Sequence, residues 1–340
     1  MWPLCRLIPK QTSFKFVRFA GFAAVLSVLA VLATFASILT GGFTQNPVAV
    51  YERAPGGAYQ KLGSVFEKSF NLGIDFRGGN LIEIAAPAPI DLAAVRSMVS
   101  SLNLGDVQAQ GFSDPRRAMV RFESPARSDA GDVNRQVMAR LAQVVPGVEF
   151  SKIDVVGAKV SSELFTGGII ALLLAILLML IYIVLRFEWQ FGLGAVMALF
   201  HDVILTLGIF SVFRFEFTLT IIAALLTIIG YSMNDTVVVF DRLRENLRKY
   251  KKMPLRDVID LSTNQTLSRT IVTGMTALMA LTALLVVGGE AMEGFSIAML
   301  FGIVIGTYSS VYVAAPAILL WGVKRGAEPK PARGTAESLP

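Results

Sequence analysis

The chain alternates between long apolar stretches and polar segments, and six of the apolar stretches are long enough to cross a membrane. A spanning helix needs about 20 predominantly apolar residues. Four of the six stretches contain no charged residue, one contains Asp235, and one contains His201 and Asp202. The sequence therefore predicts six transmembrane helices, over residues 19–39, 164–185, 189–213, 217–240, 270–289 and 294–323.

The first apolar stretch follows basic residues, an order that signal peptides and membrane anchors share. Its apolar core is longer than that of an ordinary signal peptide, and the bond between Phe35 and Ala36 is a weak cleavage site. We therefore interpret residues 19–39 as an uncleaved helix rather than as a leader that is removed.

The polar segment 40–163 has a pattern that predicts a folded domain. Alternating apolar and polar residues predict strands, and apolar residues at spacings of three and four predict helices. One predicted helix begins at Asp91, a residue type that favours helix N-termini. The predicted order is strand, helix, strand, strand, helix, strand, over residues 80–86, 91–102, 107–112, 118–123, 129–144 and 148–156.

This order is the βαββαβ arrangement of ferredoxin-like domains. The predicted fold class is therefore an α-helical integral membrane protein with six transmembrane helices. An α+β ferredoxin-like domain lies between helices 1 and 2.

The composition supports a membrane protein and excludes several function classes. Hydrophobic residues make up 54% of the chain and charged residues only 16%, against about 25% charged in soluble proteins. Cys5 is the only cysteine, which excludes an intramolecular disulfide framework and a cysteine-based zinc site. His201 is the only histidine, which argues against a histidine-rich metal site or a histidine-based triad but leaves a carboxylate metal site open. No phosphate-binding loop, dinucleotide fingerprint or nucleophile elbow is present. We predict no cofactor, no metal and no enzymatic activity.

The net charge of +6 is explained by membrane orientation rather than by nucleic acid. Basic residues cluster before the first span, in the segment 241–269 and in the tail 324–340, whereas 40–163 has equal numbers of acids and bases. Because basic loops stay in the cytoplasm, we predict that residues 1–18, 241–269 and 324–340 are cytoplasmic and that 40–163 lies outside. Topology and lipid headgroups explain the basic segment 241–269, and a dedicated partner site is the alternative.

Asp235 is the most informative residue, because a charged side chain at the centre of a membrane helix costs at least about 2.5–3.5 kcal/mol. It lies six residues before Asp241, about 9 Å inside the helix end at the usual helical rise. Thr227, Tyr231 and Asn234 share its face at spacings of three and four. Such a face predicts contact with other helices or with water. Asp235 is thus either a protonatable group of a proton relay or a structural hydrogen-bonding group.

Three further groups carry possible chemistry. His201 and Asp202 lie near the middle of the third span, where they form either a second part of a relay or a packed hydrogen-bonded pair. Arg269 opens the fifth span. Its side chain either reaches toward lipid headgroups or pairs with Asp235 near the cytoplasmic side.

The sixth span predicts close helix packing. Small residues recur at every fourth position, which lets helix backbones approach one another. The sequence does not say which helix this ridge meets. The ridge consists of Ala298, Gly302, Gly306, Ser310 and Ala314.

Four sequence segments resemble the SecF family of the bacterial Sec translocase, in the same order along the chain. GIDFRGGNLIEI at 73–84 is similar to the motif that opens the family's periplasmic domain, and YSMNDTVVVFDRLREN at 231–246 to its fourth-helix signature. LFHDVILTLG at 199–208 and NQTLSRTIVTG at 264–274 resemble the third- and fifth-helix motifs. The periplasmic motif residues in this sequence are Gly73, Asp75, Phe76, Gly78 and Gly79.

The resemblance implies a function and a set of partners. SecF proteins belong to the resistance-nodulation-division superfamily and pair with SecD, and the pair works with the SecYEG channel. YajC and YidC are further expected partners. The implied activity is use of the proton motive force to complete export of unfolded polypeptides across the inner membrane. The implied location is that membrane, with both termini cytoplasmic and residues 40–163 periplasmic.

The resemblance also places Asp235 on the family's functional fourth-helix aspartate and Arg269 on its functional fifth-helix arginine. The expected relay comprises these two residues with Asp202 and His201. Asp235 beside Arg269 would keep its negative charge, and separation of the two would favour protonation. Two other functions remain open: a structural subunit that stabilises SecD or the channel, and half of a proton-driven efflux pump for small solutes.

Overall fold

The structure is a computed structural model that describes residues 12–43, 69–105, 107–112, 114–122 and 130–323. Cys5, the predicted tail 324–340 and most of the predicted N-terminal segment 1–18 lie outside the described residues.

Six long helices within the described residues carry the six apolar stretches, and each is long and apolar enough to cross a membrane. This confirms the predicted number of membrane helices. We number them from first to sixth, and the sixth contains a π-helical turn at Ser310–Ala314. The bounds are Phe16–Leu39, Ala158–Arg186, Trp189–Phe213, Leu219–Lys249, Leu255–Val287, and Glu290–Ser309 continuing through the π turn to Ala315–Trp321.

The fourth and fifth helices extend beyond the predicted spans. The segment 241–269 is helical except at residues 250–254, because no glycine or proline interrupts either helix there. Pro254 precedes the first turn of the fifth helix, a position that tolerates a residue without an N–H group. Apolar composition marks the part of a helix that crosses a membrane, not the full length of the helix.

The chain divides into two compact units. The helical unit comprises Met1–Ser69, Leu173–Phe215 and Ala223–Pro340, and the sheet unit comprises Phe70–Leu172 and Glu216–Ile222. The first turn of the fourth helix therefore belongs to the sheet unit.

The helical unit directs apolar side chains outward and packs small polar side chains between helices. On the first helix Phe22 is 74% exposed, whereas Ser27 and Ser37 are buried. Ser37 Oγ lies 2.9 Å from Ser211 Oγ of the third helix. This distribution suits a lipid environment, where small polar residues mediate close helix contacts.

The sheet unit confirms the predicted βαββαβ order. A four-stranded antiparallel sheet has the order β3–β4–β2–β5. Asp91 caps the helix Leu92–Ser100, as predicted, by accepting hydrogen bonds from Ala93 N and Ala94 N. The strands of the unit are β1 Asn71–Leu72, β2 Gly79–Ala85, β3 Gln108–Gly111, β4 Arg117–Phe122, β5 Glu149–Val156 and β6 Glu216–Phe217.

The core of this unit lies between the sheet and two helices, Leu92–Ser100 and Ala130–Val144. Ile82 and Ile84 of strand β2 face the helices. Their spacing is the two-residue period of a strand with one buried face. The fully buried core residues include Ile82, Ile84, Val120 and Phe122 from the strands and Val95, Val99, Val137 and Leu141 from the helices.

A second, two-stranded sheet was not predicted. Strand β1 pairs in parallel with β6, with Asn71 opposite Glu216 and Leu72 opposite Phe217. Two-residue strands are too short to show an alternating pattern in the sequence. This small sheet joins the segment before Gly73 to the segment that leads into the fourth helix.

Candidate functional site

Asp235 lies on the fourth helix with its carboxylate directed to the fifth. Its Oδ1 accepts a hydrogen bond of 2.5 Å from the hydroxyl of Thr270. The side chain is half-buried. The sequence identifies the acid but not its donor, because Thr270 is one of several hydroxyl residues on the fifth helix.

The second oxygen of this carboxylate, Oδ2, is buried and has no hydrogen-bond partner among the described residues. The hydroxyl of Tyr231, one helical turn earlier on the fourth helix, is also buried and without a partner there. Buried polar atoms are rarely left unsatisfied. The arrangement therefore provides a place where a proton, a water molecule or a group from another chain can bind Asp235.

Arg269 does not form an ion pair with Asp235 in the described part of the chain. Its side chain is exposed, although its charge attracts the Asp235 carboxylate through space. Thr270, the next residue, makes the direct contact instead. Successive residues of a helix point in directions about 100° apart, so the fifth helix presents one of these two side chains to Asp235 and turns the other away.

Asp202, on the third helix, is more completely enclosed and is 1% exposed. Its Oδ2 accepts hydrogen bonds from Ser232 Oγ of the fourth helix at 2.5 Å and from Ser309 Oγ of the sixth helix at 2.7 Å. His201 Nδ1 lies 2.9 Å from its other oxygen. Thr206, one helical turn further along the third helix, is buried and donates to the backbone carbonyl of Asp202 at 2.8 Å.

His201 links this cluster to the first helix. Its Nε2 lies 3.1 Å from Ser27 Oγ, and Ser27 Oγ lies 3.0 Å from the hydroxyl of Tyr308 on the sixth helix. Tyr308 also donates to the carbonyl of Ala23 at 2.9 Å. Asp202 and His201 therefore belong to one hydrogen-bonded network that joins the first, third, fourth and sixth helices.

The sixth helix touches both acidic sites where its π turn begins. Ser309 donates to Asp202, while Ser310 Oγ lies 2.8 Å from the hydroxyl of Thr236, the neighbour of Asp235. Pro316 follows this turn and lacks the N–H group that would continue an α-helix. Such π turns occur often at functional sites. The proline is the one signal in the sequence that pointed to an irregular helix here.

The small-residue ridge of the sixth helix packs against the fourth helix of the same chain. A Cβ atom added at Gly306 would lie 2.9 Å from Ser232 Cβ, and one at Gly302 would clash with Ile228. Ser310 belongs to the π turn and makes the contact with Thr236. The sequence predicted close packing, and the tertiary structure identifies the neighbour.

The predicted periplasmic motif forms one compact turn in the sheet unit. Ile74–Arg77 is a single helical turn, which Gly78 and Gly79 end with φ angles of 71° and 104°. Positive φ angles of this kind favour glycine. Asp75 Oδ2 accepts a hydrogen bond of 2.9 Å from Leu219 N, at the start of the fourth helix.

No group of three or more His, Cys, Asp and Glu side chains that could hold a metal ion occurs within the described residues. The polar side chains that contact Asp202 and Asp235 are hydroxyls and one imidazole. Such groups can hold and transfer protons.

Two family profiles match the sequence. The profile described as protein export membrane protein SecD/SecF, C-terminal, covers residues 136–324. The profile described as the SecD/SecF GG motif covers residues 63–86, which include Gly78 and Gly79.

Several curated proteins and two solved structures are similar to the chain. Protein translocase subunit SecF of Cereibacter sphaeroides is 50% identical over 268 residues, which are 76% of this chain and 83% of that protein. The SecF of Magnetococcus marinus is 44% identical over 283 residues, covering 82% and 90% of the two chains. The crystal structure of SecDF from Thermus thermophilus, a translocon-associated membrane protein, superimposes with a TM-score of 0.75 at 27% identity.

The SecDF match covers 94% of this chain and 39% of the Thermus chain. A second SecDF structure, in a super-membrane-facing form, has a TM-score of 0.61 at 29% identity and covers 94% and 40%. The chain therefore spans about two fifths of the length of these SecDF proteins.

Proposed function

Because this chain belongs to the SecF proteins of the SecD/SecF protein export family, we propose that it couples the proton motive force to late-stage export of unfolded proteins. The observation that carries this proposal is the carboxylate of Asp235. It lies in an apolar helix, accepts one hydrogen bond from Thr270 and has one buried oxygen without a hydrogen-bond partner among the described residues.

A carboxylate in this position is costly, which argues for a role beyond packing. A charged side chain at a helix centre in the membrane costs at least about 2.5–3.5 kcal/mol. A single hydroxyl donor offsets only part of that cost. The free oxygen is the place where Asp235 takes up a proton, and the proton removes the buried charge. Protonation therefore changes the forces between the fourth helix and its neighbours.

SecD is the proposed partner at the face that carries Asp235. Thr227 and Asn234 are exposed on the fourth helix, within a stretch that is apolar enough to span a membrane. Polar side chains in membrane spans face other helices or water rather than lipid. The similar SecDF proteins contain more than twice the length of this chain in one polypeptide, as expected if a second six-helix half covers this face.

The driving force is sufficient for a conformational cycle. One elementary charge that crosses the membrane yields about 2.3 kcal/mol per 100 mV, and a few kcal/mol shifts a two-state equilibrium strongly. We propose that Asp235 exchanges its proton with the outside in one arrangement of the helices and with the cytoplasm in the other. Arg269, exposed near this carboxylate, stabilises the ionised form when the two approach.

Asp202 and His201 form a second part of the proposed relay. Their network reaches Ser309 on the sixth helix, and the next residue, Ser310, begins the π turn and contacts the neighbour of Asp235. The SecYEG channel, YajC and YidC are additional proposed partners, on the family resemblance alone.

A purely structural role is the alternative, and the Asp202 cluster favours it. Asp202 has three hydrogen-bond partners from three residues. A buried acid with this many partners can hold helices together without titrating.

The two functions are separated by Asp235→Asn, which keeps the shape of the side chain and removes the titratable group. We expect the subunit to assemble with SecD and to lose export stimulated by a proton gradient. The measurement is export into inverted membrane vesicles with and without the gradient. Asp241→Asn is the matched control on the same helix, because Asp241 is exposed and bridges to Arg186. If the proton gradient still stimulates export fully in Asp235→Asn, the relay is ruled out and the structural role is supported.

A further inference from the structure

The segment before the fourth helix is built into the sheet unit. Strand β6 in this segment pairs in parallel with β1. Beyond that pair, the backbone N–H of Gly73 donates to the carbonyl of Phe217 at 2.9 Å. Three successive residues from Asn71 to Gly73 are thus joined to the segment 216–217 through the backbone.

Asp75 extends this attachment into the helix itself. Its carboxylate accepts the N–H of Leu219 at 2.9 Å, and Leu219 is the first residue of the fourth helix. The first N–H groups of a helix have no partner within the helix, and a negative charge there is favoured by the helix dipole. Asp75 therefore caps a helix that begins 144 residues further along the chain.

Gly73 and Phe76 pack directly against residues 216–218. A Cβ atom at Gly73 would lie 2.9 Å from Thr218 Cγ2 and 3.1 Å from Glu216 Oε1. The ring of Phe76 packs at 5.9 Å from that of Phe217 and at 5.5 Å from that of Phe165.

Arg121 ties this attachment to the larger sheet. Its side chain is 6% exposed and lies 3.8 Å from Glu216 Oε1. It donates to the carbonyl of Leu72 and to Gln108 Oε1 at 2.6 Å. Strands β3 and β4 of the larger sheet are therefore connected through one buried guanidinium to both strands of the small sheet.

We propose that residues 73–79 are a latch that fastens the sheet domain to the start of the fourth helix, with Asp75 as its positioning residue. The fourth helix is continuous from Leu219 to Lys249. Asp235 lies sixteen residues beyond Leu219, about 24 Å along the helix at 1.5 Å per residue. A movement of the sheet domain is therefore a movement of the helix that carries Asp235. The latch stands on geometry alone, and only its consequence for export rests on the proposed function.

The latch itself is tested by hydrogen exchange of the full chain, assembled with SecD in lipid nanodiscs. In Asp75→Ala we expect the amides of residues 219–222 to exchange about fivefold faster, the factor that corresponds to the loss of one helix cap of ~1 kcal/mol. Asp75→Asn keeps an acceptor oxygen, so its effect is smaller. Unchanged exchange at 219–222 in Asp75→Ala overturns the latch.

Asp91→Ala is the matched control, because Asp91 is also a helix cap of the sheet unit. It accepts from Ala93 N and Ala94 N of its own helix. We expect faster exchange in that helix and none of the change at 219–222. A similar acceleration at 219–222 in both variants would mean that any loss of domain stability frees this segment, and that would also overturn the latch.

A second pair of variants covers the case in which Asp75→Ala fails to fold. Gly73→Ala places a methyl group against Thr218, whereas Gly157→Ala meets nothing within 4 Å. We expect faster exchange at 219–222 only in Gly73→Ala.

The consequence for export is measured with the same variants in inverted vesicles. We expect Asp75→Ala and Gly73→Ala to lose most of the stimulation by a proton gradient, and Asp91→Ala and Gly157→Ala to keep it. Faster exchange with full stimulation would overturn the coupling role of the latch. If Asp235→Asn also keeps full stimulation, the proposed function fails, and the exchange result decides the latch independently.

Discussion

Three acids of this chain differ in how completely other groups satisfy them. Asp202 has three hydrogen-bond partners. Asp235 accepts a hydrogen bond from Thr270, and its second oxygen has no hydrogen-bond partner within the described part of the chain. Glu216 lies beside the guanidinium of Arg121 at 3.8 Å. Asp235 has an oxygen without a partner among the described residues, and Glu216 has a long contact with its cation, so a change of charge at these two residues is the easiest to test separately.

Glu216 gives a prediction on pH dependence. Burial raises the pKa of its carboxyl above the ordinary 4.5, while Arg121 opposes the shift and Asp75 adds to it. The folded state thus binds this proton more tightly than the unfolded state. The stabilisation is complete below pH 4.5 and is lost as pH rises through the raised pKa. We expect the unfolding temperature of the purified chain to fall less steeply between pH 4.5 and 7.5 in Glu216→Gln than in the unchanged protein.

Glu149→Gln is the control for that experiment, because Glu149 is exposed on β5. It should keep the pH dependence of the unchanged protein. If Glu216→Gln keeps it as well, the carboxyl does not titrate differently in the folded state.

At the scale of elements, the sixth helix determines how the helical unit is assembled. Its small residues let the fourth helix approach, and Ser309 and Ser310, at the start of its π turn, contact the two acidic sites. Close approach and polar contact lie on the same helix face. A change that separates the fourth and sixth helices should therefore also weaken the Asp202 cluster, which Ser232 and Ser309 reach from those two helices.

Gly306→Ala tests this helix contact. The added methyl would lie 2.9 Å from Ser232 Cβ, and overpacking of this kind costs about 1–3 kcal/mol. We expect a lower unfolding temperature of the purified chain in detergent.

Gly21→Ala is the matched substitution on the first helix, where nothing lies within 4 Å of the added Cβ. A glycine-to-alanine change in a helix otherwise stabilises by about 0.5–1 kcal/mol. The two variants should therefore shift the unfolding temperature in opposite directions. A higher unfolding temperature in Gly306→Ala would show that the fourth and sixth helices can accommodate the added methyl group.

At the scale of the whole molecule, the distribution of basic residues predicts the orientation of the chain. The segment around residues 250–254 is rich in lysine and arginine, whereas 40–163 is balanced. Because positive charge is retained on the cytoplasmic side, we expect the sheet domain to lie outside the inner membrane.

Thiol labelling in intact cells with a permeabilised outer membrane tests this orientation. Gly131 is exposed in the sheet unit and Lys252 is exposed in the turn between the fourth and fifth helices. With Cys5 changed to serine, we expect a membrane-impermeant reagent to label Gly131→Cys at once, and Lys252→Cys only after the inner membrane is broken. The reverse pattern would invert the topology.

The sequence by itself determined the number of long membrane helices, the βαββαβ order and the identity of the two membrane acids. These features follow from local rules. The length of an apolar run shows whether a helix can cross a membrane, and alternation or helical spacing shows which face of one element is buried. A charged residue within an apolar run can be recognised without knowing its neighbours in space.

Only the tertiary structure decided which groups meet. Thr270 rather than Arg269 contacts Asp235 directly, the ridge of the sixth helix packs on the fourth, and Asp75 caps a helix far along the chain. Each of these contacts joins residues from different elements, so it depends on how helices rotate and strands pair as the whole chain packs. Hydroxyl residues are common on membrane helices, and no local pattern distinguishes the few that bind a carboxylate from the others.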